Sequence, residues 1–361
     1  MNTTRQRQRL EVLDLARGVG FLVVLLQHCL GSLGITVPGR YVPQDATILD
    51  FFFLMSGFFA GYALEEKLRT GRVTIAQAVT ERAVRLRPLV ALGMTLGLIS
   101  MLISAPGNDA VLPLLLIALK GFVLIPADGT QFGSPDLFPL DGPLWFLIYD
   151  WFAYLLFLYV LRHLSLKWLL AIAAISTAGL WWAAISKNTL SFGTLWADCG
   201  WSIPRSLAGF TIGYILFRLY KPDRFQIGPR FGFMPVVVLL LVVLLPVSVD
   251  WRYSGALQAV MATTVMPLIV FFGAYVQADA AMTRLARFAA KMALPVYVIH
   301  NPLVRTLGLL RWDFHLHGAA GIALLLMQFL FPVLLAFLVA TYLDVPLRTF
   351  TNAYLRGQRP G

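Results

Sequence analysis

Ten separate stretches of this chain are apolar enough and long enough to cross a bilayer, and nothing else in the sequence restricts its folding as much. A spanning helix needs roughly 20 mainly apolar residues. Such stretches read at 18–37, 47–64, 88–105, 143–161, 168–186, 202–219, 232–249, 254–277, 292–310 and 319–343. Composition agrees, with 58% hydrophobic residues, 13% charged residues and a mean hydropathy of +0.75. Globular domains carry about 25% charged residues, and a soluble fold this apolar cannot cover its own surface with polar groups. Lipid offers the backbone no hydrogen-bond partners, so each span satisfies its own as a helix. The expectation is an all-α integral membrane protein, one transmembrane domain over 1–361 with a basic tail at 1–13 and a second tail at 349–361. The first apolar run follows a basic tail and lacks a small-residue cleavage site, so it reads as a span rather than a signal peptide. No internal repeat, heptad run or low-complexity segment is present.

The net charge of +11 invites a nucleic-acid reading, but the positions of the cations argue otherwise. An eleventh apolar piece, 111–126, is short and carries Pro113, Lys120 and Gly121. If it does not cross, and the N-terminus is cytoplasmic, 22 of the 29 Lys and Arg fall on the cytoplasmic side. Four are in the N-terminal segment (Arg5, Arg7, Arg9, Arg17) and six between Lys67 and Arg87. If 111–126 crosses, the basic loops alternate sides without order. The positive-inside rule therefore favours ten spans, both termini cytoplasmic and 111–126 as a re-entrant or surface helix. Cys29 and Cys199 form neither a zinc pattern nor a disulfide framework. No metal site and no nucleic-acid partner are expected.

An ionisable group inside a bilayer costs about 2.5–3.5 kcal/mol on insertion scales, so each asks for a reason. In LDLARGVGFLVVLLQHCL, ten residues separate Arg17 from His28. Eleven helical steps close nearly three turns, which puts both on one face about 16 Å apart. Asp14 lies one turn before Arg17 and can pair with it. Positive-inside anchoring alone would explain Arg17, and an interhelical hydrogen bond would explain His28; the shared face favours a joint role. In ILDFFFLMSGFFAGYAL, Ser56 and Gly57 form a small-residue notch open to a ligand chain or to another helix. Arg82 and Arg85, just before Pro88, share a helix face and suit phosphates. Trp145 sits at the far-side interface, Asp150 about two turns deeper, Arg205 at a far-side helix end, and His300 a few turns into the membrane. His163, His315 and His317 read as surface residues.

No HExxH, GxSxG, P-loop or GxGxxG pattern occurs. Two classes fit the remaining polar file. One is a transporter of an anionic solute gated by arginines. The other is a transferase whose donor and acceptor enter from opposite sides, with a histidine as base for an alcohol nucleophile. The absence of inverted repeats leans towards the enzyme.

These residues resemble the membrane acyltransferase family 3, whose members acylate glycans and related acceptors from acyl-coenzyme A. The resemblance rests on Arg17 and His28 with ten residues between them, the FFxxSGF-like stretch Phe52 to Phe58, and Arg82 and Arg85 as RxxR. It continues through Pro143-Leu144-Trp145, then Asp150 (where Trp151 replaces a second acid), then Arg205 with Phe210 and Gly213. Tyr297, His300 and Pro302, then Asp344 and Arg348, complete the order. The resemblance implies His28 as the base, with Asp14 and Asp150 as accompanying acids. It implies Arg17, Arg82 and Arg85 on the coenzyme A phosphates, with the pantetheine arm passing Ser56 and Gly57. Trp145, Arg205 and His300 are expected to contact the acceptor.

The GPLWFL opening is similar to the branch that succinylates periplasmic glucans, for which Arg205 or Arg305 would meet the succinyl carboxylate. The expected co-substrate is acetyl- or succinyl-coenzyme A, the acceptor an extracytoplasmic glycan or lipid-linked sugar, the setting a bacterial inner membrane with its lipids as partners. A small lipophilic acceptor and a non-enzymatic transporter stay open, as does a homodimer.

Overall fold

The computed structural model describes residues 9–35, 41–42, 46–104, 107–224, 226–244, 247–248, 251–314 and 318–344, with Pro346 and Thr349. Arg5, Arg7, Arg40, His315, His317, Arg348 and the segment 350–361 lie outside the described residues.

Almost every described residue outside the loops is helical. The helices are α1 (Glu11–Ser32), α2 (Thr47–Ala60), α3 (Glu66–Arg69), α4 (Ile75–Ser104), α5 (Asn108–Phe122), α6 (Leu144–Tyr159) and α7 (Leu166–Lys187). They continue with α8 (Ser202–Leu219), α9 (Met234–Leu244), α10 (Ser254–Val260), α11 (Met266–Gly273), α12 (Ala280–Phe314) and α13 (Gly318–Val339). Single π turns at Gly61–Glu65 and Met261–Val265 join α2 to α3 and α10 to α11. One pair of two-residue strands, Tyr41–Val42 and Val247–Ser248, runs antiparallel.

Among the described residues, seven helices are long and apolar enough to cross a membrane: Glu11–Ser32, Thr47–Arg69, Ile75–Ser104, Leu144–His163, Leu166–Lys187, Ser254–Gly273 and Gly318–Asp344. The other three expected spans also fall on helices, but differently. The span read at 232–249 reduces to α9, a shorter apolar helix. The span read at 292–310 is the second half of α12, a single 35-residue helix that also takes in Arg284, Arg287 and Lys291. The span read at 202–219 is α8, which carries the buried Arg205. Helix α5 has 15 residues, about 22 Å of axis and short of a bilayer core.

Two boundaries move with consequences for function. Helix α1 begins seven residues before the expected span, so Asp14 and Arg17 are helical. Pro88, expected to open a span, lies inside α4, which begins at Ile75. Arg82 and Arg85 therefore extend rigidly from the same helix.

The bundle is organised around α1, which packs along α12, and α2, which packs along α8; α4 and α13 flank α12, and α7 flanks α8. Small residues permit these approaches. A Cβ on Gly57 would fall 1.9 Å from the carbonyl oxygen of Phe210, and one on Gly213 2.0 Å from that of Leu54. Outward faces carry exposed Ile99, Leu112, Ile175, Trp182, Leu326 and Leu334, the pattern of side chains that meet lipid rather than water.

Candidate active site

Three arginines converge on one cavity of about 470 Å³. Arg17 comes from α1, Arg82 and Arg85 from successive turns of α4, and Ser56 from α2; Glu81, Asp150 and Tyr154 complete the polar wall. Each guanidinium is held differently. Arg17 sits 4.4 Å from the centre of the Phe59 ring, with Asp14 Oδ1 3.9 Å from its Nη1. Arg82 pairs with Asp150 and lies 4.3 Å from the Tyr154 ring centre. Arg85 is exposed to the cavity and makes no hydrogen bond or ion pair among the described residues. Stacking on aromatic faces fixes a guanidinium while leaving its N–H fork free for an anion.

Further along α1, Phe21 stacks on Phe52 with ring centres 4.1 Å apart and meets Tyr297 at 5.1 Å. Phe146 joins them, 6.1 Å from Phe52 and 5.9 Å from Tyr297. Phe21, Phe52 and Phe146 line the arginine cavity, whereas Tyr297 lines a second one, of about 350 Å³, on the other side. His28 opens onto that second cavity beside Gln27, Asp136, Trp145, Thr194 and Asn301. An aromatic layer thus separates a cavity walled by three arginines from a polar one that holds the histidine.

The expected residues divide accordingly. Arg17, Arg82, Arg85 and Ser56 come together around the first cavity; His28 and Trp145 come together around the second. Asp14 and Asp150 do not accompany His28: Asp14 accepts from Arg9 Nε at 2.7 Å, and Asp150 is spent on Arg82. Gly57 is filled by the α8 backbone, so the notch at Ser56-Gly57 is half ligand wall and half helix contact.

Arg205 lines the second cavity, yet none of its N–H groups is free. Nε and Nη2 donate to Asp50 at 3.0 and 2.9 Å, Nη1 to the carbonyls of Leu190 and Phe192, and Nη2 to that of Ala46. With 1% of its side chain exposed, it ties α2, α8 and the 190–192 loop together. Arg305 is engaged likewise, on Ser100 Oγ and the carbonyls of Gly97, Pro139 and Leu140. Arg205 therefore has no donor left for a succinyl carboxylate, whereas Arg305 keeps one Nη1 N–H beyond these four bonds and lines a further cavity beside His28. His300 is fully buried and lines neither cavity.

Gln27, Asp136 and Thr194 escaped sequence reasoning. Asp136 and Thr194 meet because two loops pair through a bridge between Asp136 and Leu195, which lets Thr194 Oγ1 donate to Asp136 Oδ1 at 3.1 Å. No spacing rule signals a contact across 58 residues. Gln27 carries a weak signal as a polar neighbour of His28 in an apolar run. No cluster of metal-ligating residues occurs among the described residues.

Residues 10–345 match the family model of the type 3 acyltransferases, described as an acyltransferase domain. No curated protein matches the chain. No solved structure matches it either. The family model covers most of the chain, and the chain belongs to the membrane acyltransferase family 3; it is a multi-pass membrane acyltransferase.

Proposed function

We propose that this member of the membrane acyltransferase family 3 is an O-acyltransferase of a bacterial inner membrane. It moves a short acyl group from cytoplasmic acyl-coenzyme A to a hydroxyl of an extracytoplasmic glycan or lipid-linked sugar. The observation that carries the reading is the division of the interior: three arginines around one cavity, His28 in another, and an aromatic layer between them. A polyanionic donor suits the first, since guanidinium forks bind phosphates bidentately. A neutral polyol suits the second, where amide, hydroxyl and carboxylate groups meet a tryptophan ring.

In this reading Arg17, Arg82 and Arg85 hold the phosphates, and the thioester reaches past Ser56 to the aromatic layer. His28 takes the proton of the acceptor hydroxyl as its oxygen attacks the thioester carbonyl. The carbon–sulfur bond breaks, and the departing thiolate receives that proton from His28. Of the two donors, acetyl-coenzyme A asks for no cation beside its acyl end, and Arg205 has no N–H left to offer one.

Coenzyme A release by the purified protein in nanodiscs tests the reading, with acetyl- or succinyl-coenzyme A and a periplasmic glycan extract. Release is expected with acetyl-coenzyme A, to depend on the glycan, and to fall by about 10²–10⁴ in His28→Ala, the contribution of a positioned general base. Unchanged release in His28→Ala defeats the assignment. Failure of coenzyme A to bind removes the donor site at Arg17, Arg82 and Arg85 and restores the transporter.

A further inference from the structure

His28 makes no hydrogen bond among the described residues, although a histidine acting as base needs its second nitrogen oriented. The usual orienting group is a carboxylate, but Asp14 and Asp150 are held by arginines, Asp50 by Arg205, and Asp136 by Ser134 and Thr194, while Asp141, whose oxygens lack a well-formed hydrogen bond, faces Asn301 and Arg305. What touches His28 is another imidazole. The ring centres of His28 and His300 stand 4.8 Å apart at an interplanar angle of 67°.

His300 has its tautomer imposed by its own helix. Its Nδ1 lies 2.6 Å from the carbonyl oxygen of Tyr297 and 3.1 Å from that of Val296. Both are acceptors only, so Nδ1 carries the hydrogen and Nε2 keeps the lone pair. That Nε2 is buried and without a partner, on a side chain with 0% exposure. A buried acceptor left unmet costs free energy, and the group beside it is the one that lacks an orienting partner.

We infer that His300 is the positioning residue of His28: its Nε2 lone pair receives one ring N–H of His28 and so turns the other nitrogen towards the acceptor cavity. The centroid separation leaves room for an N···N distance of about 3 Å after small ring rotations, and hydrogen bonds at catalytic groups commonly tighten only when substrate is bound. During turnover the substrate proton goes to the free nitrogen of His28 and on to the thiolate. The N–H shared with His300 stays in place and steadies the imidazolium, as a carboxylate does in a triad. The turnover part of this inference rests on the acyltransferase reading; the pairing does not.

The test combines two readouts on the full-length protein in nanodiscs. ¹⁵N NMR of histidine-labelled protein, with His28 assigned by its loss in His28→Asn, reports the His28 tautomer. Coenzyme A release with glycan reports kcat and the KM for acetyl-coenzyme A. His300→Asn keeps an amide near Nδ1 for the helix carbonyls but removes Nε2; His300→Gln returns an acceptor oxygen near the Nε2 position. A single His28 tautomer is expected in the wild type and a mixture in His300→Asn. In His300→Asn kcat is expected to fall on the order of 10²-fold at unchanged KM, with partial recovery in His300→Gln. The inference is overturned if His300→Asn keeps wild-type kcat and one His28 tautomer, or if both variants lose kcat alike with a raised KM. A wild type that releases no coenzyme A defeats the acyltransferase reading alone, because the tautomer still decides the pairing.

Discussion

Arg85 and Arg205 show how differently one residue type can be used within this bundle. Arg82 and Arg85 present guanidinium groups to a cavity, whereas Arg205 is sealed among Asp50 and three carbonyls. Removing one partner of such a buried pair strands a charge. Asp50→Ala is therefore expected to cost about 3–5 kcal/mol, read as a markedly lower Tm in detergent; an unchanged Tm would show that the pair holds nothing together. Asp141, in the loop before α6, is also completely buried, and neither of its oxygens has a well-formed hydrogen bond. Burial pushes its carboxyl well above the usual range, against the pull of Arg305 and of the Asn301 amide. The folded state then keeps a proton that the unfolded chain releases above a pH of about 3.9. Its contribution to stability accordingly falls as pH rises from that value towards the raised one. Asp141→Asn is expected to melt above the wild type at pH 7, with the gap closing towards pH 4. A wild type that melts higher at neutral pH would mean that Asp141 is ionised and paired.

Element boundaries explain most of what the sequence reading placed too coarsely. Hydropathy locates the apolar middle of a helix and is blind to its polar ends, where Asp14, Arg17, Arg82 and Arg85 sit. Arg82 and Arg85 accordingly read as the end of a loop and stand instead on the continuous helix α4, whereas Asp14 and Arg17 lie on α1 as their spacing from His28 implies. The same blindness split α12 into a basic loop and a span. Helix pairing depends on residues that hydropathy scarcely weighs. Gly57 and Gly213 let α2 and α8 approach until backbone meets backbone, and their missing Cβ atoms are what the contact consists of. Gly213→Val is expected to force these helices apart, lowering Tm and disturbing Arg205 and Asp50 on the same pair. A variant with wild-type Tm would place the stability of the bundle elsewhere.

Across the whole molecule, the aromatic layer of Phe21, Phe52, Phe146 and Tyr297 draws residues from α1, α2, α6 and α12. It divides the interior into a cationic half and a polar half. The length of the apolar runs determined that the chain is a helical membrane protein, and helical periodicity that Arg17 and His28 share a face of α1, because both follow from local backbone geometry. The arginine pair on α4 was legible for the same reason. Only the tertiary structure decided which polar groups are free. Arg205, Arg305 and Asp150 look from the sequence as available as Arg85, but their partners come from loops and helices tens to hundreds of residues away. The setting of His28 was hidden likewise, since Asp136, Thr194 and His300 reach it through chain crossings that no spacing in the sequence encodes.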